Sequence, residues 1–262
     1  MPETAERAYQ QQCDLFAAWV YPLAPEARLE ALSCLDLMMF LDDDHADEGA
    51  VRRRPLTDSS LLEVVEEPMS SDWRARFRSH LSDWEGANAR AARRRARSAP
   101  PQHLEEYLPW RRVSSTLFWH FDLVEYAQES ELPAEFVSGS RYRALADCAA
   151  DVIAWTNDLF SAPKELSRGE QDNLVAVLTH HQSMDLQEAV ALTAEWIADR
   201  TRQFLSARDS LAAEIRTDPS AADTLLEWTD GLGRWAGGNL GFCLASARYP
   251  HRLAAPEPGS GG

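Results

Sequence analysis

Helical patterning runs through this chain almost without interruption, and that confines it to an all-α architecture. Between the prolines, Ala, Leu, Glu and Arg dominate, and alternating β-branched runs are hard to find. After Pro25, Leu29, Leu32, Leu35 and Met39 recur at three- and four-residue spacing. The apolar residues become nearly continuous at Leu37 to Leu41, as suits a helix buried inside a bundle. The same reading predicts helices from about Asp72 to Arg97, through Tyr142, Leu145, Ala149, Val152 and Ile153, over Asn173 to Thr179, and over Leu186 to Ile215. A last one carries Trp228, Trp235 and Phe242. Gly49 to Pro68 reads as loop. Residues 1–250 are expected to form one domain, and Pro, Gly and Ser make 251–262 a disordered tail.

Two oxygen-rich clusters stand on these helices. Asn157, Ser161 and Glu165 lie at i, i+4 and i+8, on one stripe. An amide, a hydroxyl and a carboxylate form a donor set that suits a hard divalent cation, Mg²⁺ above all. Pro163 falls between Ser161 and Glu165 and is expected to kink or stop the helix. Upstream, Asp42, Asp43 and Asp44 are consecutive. A register starting at Asp42 would put Ala46 fifth; starting at Asp43 it puts Asp47 there, so Asp43 and Asp47 share a face and Asp44 points aside. Two such clusters facing each other across a bundle suit a multi-metal site for a phosphorylated ligand.

The aspartate-rich cluster, the Asn/Ser/Glu triad and a closing Arg248-Tyr249 pair resemble the motifs of bacterial class I terpene cyclases, in the same order, over roughly Tyr21 to Tyr249. The resemblance implies the class I terpenoid synthase fold, a single helical bundle with the active-site cavity between helices. It implies Mg²⁺, three ions in the family with Mn²⁺ able to substitute, held by Asp43, Asp47, Asn157, Ser161 and Glu165. It also implies loss of diphosphate from a linear prenyl diphosphate, farnesyl diphosphate being the usual substrate, followed by cyclisation to a sesquiterpene. Tyr107 and Arg111-Arg112 match a Tyr-x-x-x-Arg-Arg element whose arginine senses the diphosphate, with Arg111 the better candidate by spacing and Arg112 the reserve. Lys164, Arg168, Arg248 and Tyr249 match further diphosphate contacts. Asp43, Asp44, Asp47, Arg111, Lys164, Arg248 and Tyr249 are the expected catalytic set. Phe40, Phe118, Trp155, Trp235 and Phe242 are candidates for the cavity wall, Phe242 standing where relatives usually carry Trp. Ser114-Ser115-Thr116 departs from the pattern, which often has a small Gly there.

The single lysine stands out. Of 26 Lys and Arg residues, Lys164 alone is lysine, and it sits beside Glu165. A compact ammonium suits a point contact to phosphate. A formal net charge of −16 argues against general nucleic-acid or membrane-surface binding; Arg52–Arg54 form a run in the loop-like stretch, and the run Arg90, Arg93, Arg94, Arg95 and Arg97 reads as a solvated helix end. His180-His181 reads as a helix C-terminal cap. Four scattered cysteines, a polar start and no membrane-length apolar run fit a cytoplasmic protein with free thiols. A homodimer is compatible with the sequence.

Three other readings stand beside the cyclase. A prenyl-chain elongating synthase would carry a second aspartate-rich motif, whose place is taken by the triad. An all-α nucleotide pyrophosphohydrolase leaves the Asn/Ser pair and Arg248-Tyr249 unexplained. A non-catalytic relative acting as a binding protein is suggested by the 42 residues before Asp43, fewer than relatives usually have.

Overall fold

The computed structural model describes residues 6, 8–47, 60–215 and 222–249, with the side chains of 42–47 and 222 outside the description. Among the described residues every regular element is helical. After a 3₁₀ turn at Cys13–Leu15 come α1 (Phe16–Val20), α2 (Glu26–Asp47), α3 (Ser60–Glu66), α4 (Ser71–Ala96), α5 (Leu104–Ser114) and α6 (Leu117–Ala127). The chain continues with α7 (Ala134–Val137), α8 (Ser140–Ser167), α9 (Leu174–His181), α10 (Leu186–Ile215) and α11 (Ala222–Ala245). No described helix is long and apolar enough to cross a membrane.

The bundle is organised around α6. Every one of its residues except Phe118 is buried, polar His120, Asp122 and Glu125 included. It packs against α2, α4, α5, α8 and α11. A helix apolar nearly all round has no solvent face to offer and becomes the axis of the core. Around it, α10 lies along α8, and α11 packs on α1 and α8. The α11–α1 contact is close enough to require glycine: a Cβ at Gly238 would come within 2.0 Å of the Trp19 carbonyl oxygen. Helix ends are fixed by side chains the sequence supplies. The Ser70 hydroxyl accepts from Trp73 N at 3.2 Å to start α4, and Asn173 Oδ1 accepts from Val175 N at 2.8 Å to start α9.

Two expectations are corrected. The stretch read as loop contains α3, where Leu62 and Val65 are buried and Glu66 takes a bidentate pair from Arg78 at 2.7 and 2.6 Å. Burial of two apolar residues per turn stabilises a helix too short to persist alone. Pro163 does not stop α8, which continues to Ser167. The ring costs one backbone hydrogen bond near the helix end, and α8 as a whole packs against α10 and α11. The Arg52–Arg54 run and the 251–262 tail lie outside the described residues. The four cysteines are free thiols, with Cys13, Cys148 and Cys243 buried and Cys34 exposed.

Candidate active site

Helix α8 carries Asn157, Ser161 and Glu165 as one stripe, and two distant segments converge on its first member. The Asn157 amide oxygen accepts from Arg111 at 3.0 Å, and its amide nitrogen donates to the Tyr249 hydroxyl at 2.8 Å. Arg111 stands on α5, and Tyr249 follows α11. The first expected sensor, the first residue of the triad and the tyrosine of the closing pair therefore meet at one place.

Below this junction lies a buried anchor. Asp158, 1% exposed, accepts from Arg111 Nε at 2.9 Å, the Tyr107 hydroxyl at 2.6 Å and Leu174 N at 3.1 Å. Tyr107 and Arg111 are four residues apart on α5, so both reach the same carboxylate. Asn173 completes the arrangement, its amide nitrogen donating to the Asp158 carbonyl and to Glu165 Oε2, both at 2.8 Å. Asp158 and Asn173 carry no signal of their own in so acidic and polar a sequence. Only the position of Asp158 inside the motif, one residue off the stripe, and of Asn173 just ahead of an apolar run, could have pointed to them.

Burial, then the charge of Asp158, push the Glu165 carboxyl up to about 7, against lowering by Asn173, Arg111 and Ser161. Arg111 is pushed above its ordinary range by Asp158, Tyr107 and Glu165 despite its burial, so it stays a cation. A half-buried carboxylate beside a hydroxyl and an amide oxygen is the donor chemistry a hard divalent cation takes. Among the described residues no three His, Cys, Asp or Glu side chains converge as a metal site. The side chains of Asp43, Asp44 and Asp47, on the last turn of α2, lie outside the description.

The remaining candidates divide. Lys164 is half-buried next to Glu165, and Arg168 is an exposed C-cap residue 3.9 Å from Glu170. Arg248 is buried and lies over the Phe40 ring at 4.9 Å while donating to Gln11 Oε1 at 3.1 Å. Phe40, Trp235 and Phe242 gather around Phe16, with ring centroids 5.2, 5.5 and 4.9 Å from it. Phe118 and Trp155 stand apart: Phe118 neighbours His80 and Phe121, and Trp155 neighbours Trp196 on α10. Arg112 also points elsewhere, bonded to Asp151 at 2.6 and 2.8 Å and to Asp147 at 3.4 Å. One position around α5 turns its guanidinium away from Asn157. His181 meets the Pro101 carbonyl at 3.1 Å and stacks on His103 at 4.5 Å, so it ties α9 to the start of α5 rather than capping its own helix.

Known proteins resemble this chain in sequence and in fold. Residues 26–203 match the model of terpene synthase family 2, C-terminal metal binding. (+)-Eremophilene synthase from Sorangium cellulosum is 30% identical, over 89% of this chain and 77% of its own length. (-)-Delta-cadinene synthase from Streptomyces clavuligerus is 29% identical, over 90% and 80%. Among solved structures, linalool/nerolidol synthase from Streptomyces clavuligerus superposes with a TM-score of 0.80 at 21% identity, covering 92% of this chain and 93% of that one. That likeness shows the all-α fold expected from the sequence. Family model and sequence relatives together show that this chain belongs to the terpene synthase family, in its metal-binding class I branch.

Proposed function

We propose that the chain is a Mg²⁺-dependent class I cyclase that removes diphosphate from farnesyl diphosphate and cyclises the resulting cation to a sesquiterpene. The observation that carries this reading is the meeting of Arg111, Asn157 and Tyr249, three segments bonded at the head of one oxygen-donor stripe.

Asn157, Ser161 and Glu165, with Asp43 and Asp47 from α2, would hold the metal. When bound, Mg²⁺ neutralises charge growing on the leaving diphosphate as a Lewis acid. Arg111 is kept charged and aimed by Asp158, ready to take phosphate oxygens with the planar fork of its donors. Lys164 and Arg168 add cations on the same last turns of α8. Tyr249 and Arg248 close the site from the chain's far end. The rings of Phe16, Phe40, Trp235 and Phe242 exclude water and present negative faces to a carbocation.

Purified protein given farnesyl diphosphate and Mg²⁺ should release diphosphate together with a volatile hydrocarbon or alcohol. Chelation should abolish release, and Mg²⁺ or Mn²⁺ should restore it. Added isopentenyl diphosphate should give no longer chain. Full activity in metal-free buffer, or no release from any C10, C15 or C20 prenyl diphosphate, would defeat the reading.

A further inference from the structure

Beneath the aromatic group lies an ionisable pair with no part in holding diphosphate. Asp36 on α2 and His120 on α6 are both fully buried, with Asp36 Oδ1 at 2.9 Å from His120 Nε2. His120 Nδ1 lies 3.0 Å from the Thr116 carbonyl oxygen. A carbonyl only accepts, so Nδ1 carries a proton. One further proton then lies between Nε2 and Oδ1, and the pair is neutral overall whichever atom holds it. Asp36 Oδ2 is left buried, with lone pairs and no hydrogen-bond partner among the described residues. Burial pushes the Asp36 carboxyl above its ordinary range, against lowering by His120, which makes its carboxylate a stronger base.

The surroundings are aromatic. The His120 ring stacks on Trp119 at 3.7 Å and meets Trp235 edge-on at 5.4 Å. Trp235 continues through Phe16 to Phe40 and Phe242, and Arg248 lies over Phe40. The Nε1 atom of Trp119 is likewise buried without a hydrogen-bond partner among the described residues. Along α2, Asp36, Phe40 and Asp43 stand at i, i+4 and i+7 and share a face. Seven residues of helix rise by about 10 Å. A prenyl chain with its diphosphate end at the Asp43 turn and its tail among the rings reaches the depth of Asp36.

We propose that Asp36, backed by His120, is the proton acceptor that ends the cation cascade, an inference resting on the prenyl diphosphate reading above. A C–H bond beside the cationic carbon breaks, its electron pair forms a C=C bond, and the proton goes to Asp36 Oδ2. The pair passes from neutral to a carboxylic acid beside an imidazolium. That extra proton leaves to water when the product departs. A purely structural link between α2 and the Thr116 turn would be served by an amide, which donates to Nε2 and leaves no basic oxygen buried.

That distinction gives the experiment. Asp36→Asn keeps the shape and a neutral hydrogen bond to Nε2 but removes the base; Asp36→Glu keeps a carboxylate. With farnesyl diphosphate and Mg²⁺, the readout is the ratio of main terpene product to diphosphate released. It should fall at least tenfold in Asp36→Asn, with premature products appearing, and recover in part in Asp36→Glu. An unchanged product profile in Asp36→Asn overturns the proposal. So does an Asp36→Asn protein that melts early and loses product and diphosphate release in parallel. Wild-type protein that releases no diphosphate overturns the prenyl reading and this one together. Imidazole ¹⁵N NMR of the metal-free chain is an independent check. It should find His120 Nδ1 protonated and the Nε2 signal moved by Asp36→Asn; an unprotonated Nδ1 overturns the assignment.

Discussion

Asn157 faces Arg111 and Tyr249, whereas Asp158, one residue on, turns inward to Tyr107, Arg111 and the Leu174 amide. Removing the two side chains should therefore fail in different ways. Asp158→Ala leaves Arg111 buried without its carboxylate and should cost about 3–5 kcal/mol of stability, the usual cost of breaking a buried pair from one side. Urea denaturation would show it. Asn157→Ala should abolish diphosphate release yet shift the same midpoint by less than about 1 kcal/mol; a protein that unfolds instead would make Asn157 structural. Lys164→Ala should slow turnover at least tenfold with little change in melting, because an ammonium meeting charge that grows in the transition state acts on kcat. A kcat equal to wild type would remove Lys164 from the site. The stripe was legible because helical spacing alone aligns Asn157, Ser161 and Glu165. Asp158 was not, since nothing in a chain with 42 acidic residues distinguishes a buried carboxylate from a solvated one until the partners on α5 are in place.

Between α4 and α6 the chain buries a group of charges whose titration should be visible. Arg76 bonds Asp122 at 2.8 Å and also Glu125, and His80 bonds the other Asp122 oxygen at 2.7 Å. Burial, then the charge of Asp122, push the Glu125 carboxyl up to about 8, against lowering by Arg76 and Leu132 N. Burial lowers His80, but the Asp122 charge and hydrogen bond outweigh it and raise it. Both groups thus hold protons more firmly folded than unfolded, so their stabilisation is present at acid pH; the Glu125 part is lost as pH rises through about 8. The urea midpoint should fall as pH rises from the ordinary glutamate range near 4.5 to about 8. Glu125→Gln should flatten that fall, and a parallel profile for the variant would count against the assignment. At this scale the long helices were legible: Leu186 to Ile215 matches α10, and the apolar run before the aspartates matches α2. Helix α3 stayed hidden because a single buried turn has too little periodicity to read. Pro163 kinks or stops a helix by expectation, and of the two the stop did not occur, the helix running on to Ser167.

For the whole molecule, the family and the bundle were readable from three motifs in order, and the aromatic interior was readable only in part. Phe118 and Trp155 fell outside the cluster and Phe16 fell inside it, because periodicity assigns a face to a ring without saying which neighbour completes it. Phe16 belongs to a segment that ends its course against the last one. The Ser246 hydroxyl donates to the Gln11 carbonyl at 2.6 Å, and Arg248 reaches the Gln11 side chain. This places residues 11 and 246 side by side although 235 positions separate them along the backbone. Covalent order and spatial order are therefore separable here. A short flexible linker from Tyr249 back to Ala8 should span this neighbourhood without strain. Fresh termini opened in the surface turn around Ser183, between α9 and α10, should yield a circular permutant with wild-type circular dichroism and diphosphate release within about tenfold of wild type. A permutant that stays unfolded would mean that the segments around Gln11 and Ser246 must meet late, against a bundle already formed.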